Sequence, residues 1–138
     1  MASWTRRLVM GVVLGSFAAL LSSYDVQAAD DKKVPSIETI MKKVNGKKGY
    51  TAKITEAAKG EKWDEAATAA KELKAHATAL AKNDAPKGDK ASWEKLAKQY
   101  GEQGTAVADA VEKKDAKALA TATKAFTSGC KTCHDSFK

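Results

Sequence analysis

Apolar residues recur at helical spacing through four stretches of this chain, and no segment alternates with the two-residue period of a strand. The first stripe, Ile37, Ile40, Met41, Val44, Thr51, Ile54 and Ala58, predicts a helix from about Ser36 to Lys59, with Ser36 as N-cap after Pro35. Gly46 and Gly49 interrupt it and leave a kink or a break open. The second helix, from about Trp63 to Lys82, follows Trp63, Ala66, Ala67, Ala70, Leu73, Ala77, Leu80 and Ala81. Residues 83–89 are rich in turn formers and form a linker. The third, from about Ser92 to Val111, follows Trp93, Leu96, Ala97, Tyr100, Gly104, Val107, Ala108 and Val111. The fourth starts after Asp115, a good N-cap, and runs to the end of the chain. Short connections between four amphipathic helices predict an all-α, antiparallel up-down-up-down four-helix bundle.

The last stripe is Leu119, Thr123, Phe126, Cys130, Cys133, His134 and Phe137. It ends in Cys130-Lys131-Thr132-Cys133-His134, the C-x-x-C-H signature of covalent c-type haem attachment. On a helix, positions i, i+3 and i+4 share one face, so both thiols and the imidazole can address a single flat cofactor. The thiols suit the two vinyl groups, and the imidazole suits the iron as proximal ligand. Other uses of this motif fit less well. A two-residue gap on a continuous helix is poor disulfide geometry. A thioredoxin-like pair belongs beside a βαβ unit. A closed zinc site wants four ligands, and His76 is the only other imidazole or thiol in the chain.

The N-terminus reads as an export signal. Arg6 and Arg7 form a positive start, Leu8 to Leu21 is an apolar run of 14 residues, and Val26-Gln27-Ala28 offers small residues for cleavage after Ala28. The run is short for a membrane span, which needs about 20 residues. The expected organisation is a signal peptide over 1–28, a flexible leader over 29–35 and a helical haem domain over 36–138, with no membrane span in the mature protein. Haem attachment of this type takes place outside the cytoplasmic membrane in bacteria, so motif and signal support each other.

Removing Arg6, Arg7 and Asp25 leaves 22 basic and 16 acidic residues, a net charge of +6, and every basic residue is lysine. The lysines are spread along all segments without a cluster or an aromatic platform, which speaks against nucleic acid and for solvated helix faces. Such an excess favours a partner with an acidic surface.

An exported four-helix pattern with Cys130, Cys133 and His134 at the very C-terminus resembles the class II c-type cytochromes, the cytochrome c′ and cytochrome c556 group, over about Ser36 to Lys138. Class I cytochromes carry the motif near the start of the domain. The resemblance implies one covalent haem c, thioethers at Cys130 and Cys133, and His134 bound to iron. It also implies a distal side covered by the first helix, where low-spin members supply a methionine. Ile40-Met41-Lys42-Lys43 is similar to that low-spin pattern and makes Met41 the candidate sixth ligand; the other reading of Met41 is core packing. His76, off the centre of its stripe, is expected at the surface or boundary. Members often carry an arginine on the first helix and a basic residue after the motif; here there is no such arginine and only Lys138 follows. With Met41 bound, the implied function is periplasmic electron transfer; with the sixth position open, it is binding of NO or CO. No acid/base pair marks an enzyme, and whether two copies pair is left open.

Overall fold

The structure is a computed structural model and describes residues 33–138, all of whose regular elements are helical: α1 (Ile37–Asn45), α2 (Tyr50–Lys59), α3 (Trp63–Ala79), α4 (Lys90–Glu112) and α5 (Ala116–Phe137). The expected signal, 1–28, and the leader up to residue 32 lie outside the described residues. No described helix is long and apolar enough to cross a membrane.

The first predicted helix is two helices. Gly46 turns to an extended ψ of 163°, and α2 restarts after Gly49. The break is fastened: the Thr51 hydroxyl donates to the Val44 carbonyl at 2.9 Å, and the Gly49 N–H donates to the Gly46 carbonyl at 2.7 Å. A Cβ on Gly49 would lie 2.6 Å from the Val44 oxygen, so only glycine closes this turn without displacement.

The other boundaries follow side-chain caps. Ser36 accepts from the Thr39 N–H at 3.3 Å and Asp115 from the Ala118 N–H at 2.9 Å. Asp89 caps α4; it accepts from the Ser92 N–H at 2.8 Å, which starts the helix two residues earlier than the periodicity indicates. Each cap is worth about 1 kcal/mol. The second predicted helix ends in a 3₁₀ turn, Leu80–Lys82.

Ile40, Val44, Ile54, Leu73, Leu80, Val107, Val111 and Phe126 are fully buried, and among the described residues no polar or charged side chain is. The helix faces largely match the stripes. The stripe residues Ala67, Ala81 and His134 are exposed, and Ala57, Ala69 and Ala110 are buried off the stripes. A Cβ on Gly104 would lie 2.6 Å from the Ala77 Cβ, so α3 and α4 approach closely there. Packing runs mainly between neighbours in the chain: α2 on α3, α3 on α4, α4 on α5, with α1 set on α2 and α3. The last helix rests on α4 and makes little backbone contact with α1. That weakly joined seam holds the site.

Candidate haem site

One pocket, of about 140 Å³, opens between α1, the 3₁₀ turn, α4 and α5. Its lining includes Met41 from α1, Leu80 from the turn, Leu96 and Tyr100 from α4, and Cys130, Cys133 and His134 from α5. All four site residues indicated by the sequence therefore come together, although Met41 is separated from the motif by most of the bundle's sequence. His76 does not line this pocket. It lies half-buried on α3 with its ring 5.4 Å from that of Tyr50 and its Nδ1 2.8 Å from the Glu72 carbonyl, the boundary position expected for it.

The continuous helix α5 puts both thiols on its inner side. Cys130 and Cys133 are half-buried free thiols, with no disulfide between them. The Cys130 Sγ lies 3.9 Å from the Phe126 carbonyl, one turn back. Burial pushes both thiols above the ordinary cysteine range, and at Cys133 the neighbouring Cys130 adds to this. They are therefore protonated at neutral pH and available as S–H groups. His134 is exposed at the rim.

The wall facing the motif is built around Tyr100. Its ring packs on Phe126 with centroids 4.6 Å apart, and its hydroxyl accepts from the Asn45 Nδ2 at 3.0 Å. The same Nδ2 lies 3.9 Å from the Met41 Sδ. Burial lifts the Tyr100 phenol well above its usual range, with the Asn45 hydrogen bond opposing the shift. The sequence marks Tyr100 for core or haem-edge packing, and it lines the pocket; it gives no sign of Asn45, whose partner is 55 residues away.

The end of α5 is anchored to the linker. Phe137 stands edge-on to Trp93 at 5.2 Å, the Trp93 indole N–H donates to the Asn83 carbonyl at 2.7 Å, and the Asn83 side chain donates to the Pro35 carbonyl at 3.2 Å.

The donor set fits a c-type haem. Two S–H groups and an imidazole share one helix face, opposite an apolar wall of Leu80, Leu96 and Met41, with an open rim for charged edges. The space is below the roughly 300 Å³ of a ligand-sized cavity, so a macrocycle must part the walls or extend through the open side.

C-x-x-C-H on α5 is the attachment pattern of c-type haem. The family model described as Cytochrome C' matches residues 88–138, the stretch that holds the C-x-x-C-H motif. The matched region contains Tyr100, Cys130, Cys133 and His134; Met41 and Asn45 lie outside it. Neither the curated proteins nor the solved structures contain a match.

Proposed function

We propose that this protein is an exported, periplasmic mono-haem c-type cytochrome that carries electrons. Cys130 and Cys133 would hold one haem c through thioether bonds. His134 is the proximal iron ligand and Met41 the distal one. The iron supplies one-electron redox chemistry. The chain's part would be to hold His134 and Met41 in place toward the iron, so that little rearranges on oxidation or reduction, and to bury the cofactor's apolar faces. Histidine–methionine ligation also raises the potential.

The observation that carries this reading is the meeting of Met41 with the two thiols and His134 around one pocket. Short turns and the packing of successive helices support an up-down-up-down bundle, with α1 and α2 together forming its first arm. Arg6, Arg7 and the apolar run 8–21 support export with cleavage after Ala28. The spread of lysines supports a weak, transient encounter with an acidic redox partner. The second reading, a five-coordinate iron that binds NO or CO, is favoured by Met41 being half-buried and packed against the core like a filler side chain.

The test is expression with the c-type maturation machinery, followed by mass analysis of the exported protein under denaturing conditions. A mature chain that begins at Ala29 and retains one haem supports the proposal; a chain without haem overturns it.

A further inference from the structure

Asn45 is the last residue of α1 and stands one helical turn beyond Met41, so the two side chains share a face. Its carboxamide carries two N–H donors. The Nδ2 is held by the Tyr100 hydroxyl at 3.0 Å, and it lies 3.9 Å from the Met41 Sδ. Tyr100 is itself braced on Phe126, in the helix that carries both thiols. The helix end beneath Asn45 is fixed by the Thr51 hydroxyl on the Val44 carbonyl. The carboxamide is therefore pinned from two sides although it lies at the surface.

We infer that Asn45 is a positioning residue for the Met41 sulfur, with Tyr100 as its anchor. The inference rests on Met41 being an iron ligand. Methionine has three rotatable side-chain bonds and no shape preference of its own, so a free thioether samples many positions. A thioether sulfur has two lone pairs. An N–H from Asn45 on one of them leaves the other for iron and selects which side of the sulfur faces the pocket. The same hydrogen bond withdraws electron density from sulfur. That weakens its donation to ferric iron more than to ferrous iron, and so favours the reduced state. Partners of this kind, one shell out from the metal, orient a ligand and tune its basicity.

The test uses the haem-loaded, full-length mature protein and reads its reduction potential and its sulfur-to-iron absorption band in Asn45→Leu, Asn45→Gln, Tyr100→Phe and Met41→Ala. Asn45→Leu is expected to lower the potential and to shift or broaden the band. Tyr100→Phe is expected to move both in the same direction by less, and the double variant to go no further than Asn45→Leu. Asn45→Gln, which keeps the donor, restores part of the effect. If Met41→Ala loses the band while Asn45→Leu matches the parent, the inference fails and the ligand assignment stands. If Met41→Ala leaves the spectrum unchanged, the assignment and the inference fall together.

Discussion

Phe137 meets Trp93 edge-on, with ring centroids 5.2 Å apart, three residues beyond His134. This contact ties the end of α5 to the start of α4, where Trp93 also holds the linker through the Asn83 carbonyl. An aromatic pair of this geometry adds about 0.5–1.5 kcal/mol beyond its area burial. Because α5 has little hold on α1, this anchor bears directly on where His134 lies.

Phe137→Ala is therefore expected to destabilise the protein by about 3 kcal/mol, the low end for buried phenylalanine truncation. Urea denaturation measures it. The loss should be accompanied by heterogeneity in the iron spectrum, because the terminal turn that presents His134 frays.

Removal of the attachment chemistry separates its parts. Cys130→Ala or Cys133→Ala should leave at most one thioether, and the double variant should release all haem on denaturation. His134→Ala should keep covalent haem but lose normal ligation. The core is rich in alanine, and a buried Phe or Leu contributes about 1.5–3 kcal/mol where alanine contributes far less. Haem is thus expected to supply much of the missing apolar burial. The double cysteine variant should melt much lower than the loaded parent or lose its sharp transition, and calorimetry would show either.

Much of this arrangement was legible in the sequence for identifiable reasons. The third stripe survives, and so does the fourth apart from the exposed His134, because Trp93, Ala97, Val107, Leu119 and Phe126 recur at helical spacing with no competing signal. The motif is local, so Cys130, Cys133 and His134 needed only a helix to bring them together. The break at Gly46 was visible as two glycines, but its sharpness depends on Thr51 reaching back to Val44, a tertiary detail. Turns closed by Glu61 at φ 56° and Lys114 at φ 53° carry no such signal, since glycine or asparagine normally occupies that conformation. The Asn45–Tyr100 hydrogen bond escaped for a different reason: it joins α1 to α4, and no periodicity encodes a pair so far apart in the chain.

Close helix approach gives a further expectation. Gly104→Ala would push a methyl group to 2.6 Å from the Ala77 Cβ and 3.3 Å from the Leu73 Cδ2. Forcing α3 and α4 apart should cost about 1–3 kcal/mol, despite alanine's better helix propensity. A lower denaturation midpoint with an unchanged slope would confirm a packing effect.

Tyr100 predicts an alkaline limit. Its phenol is neutral when protonated, and burial raises its folded value above the unfolded value near 10. Below that value both states hold the proton and the stability is fully present. As pH rises beyond it, the unfolded chain ionises first, and stability falls by up to about 1.4 kcal/mol per pH unit for this one group. Denaturant midpoints of the parent should drop above about pH 10 more steeply than those of Tyr100→Phe, and parallel curves would contradict the assignment.

The central proposal is that Met41 and His134, which line one pocket, would both hold the haem iron. The most direct measurement is the absorption spectrum of the exported protein, oxidised, reduced, and reduced under carbon monoxide. The account predicts a low-spin spectrum with a sulfur-to-iron band and no response to carbon monoxide, converted to a high-spin, carbon monoxide-responsive one by Met41→Ala. A parent spectrum that is already high-spin and shifts with carbon monoxide would contradict it and give the site to gas binding.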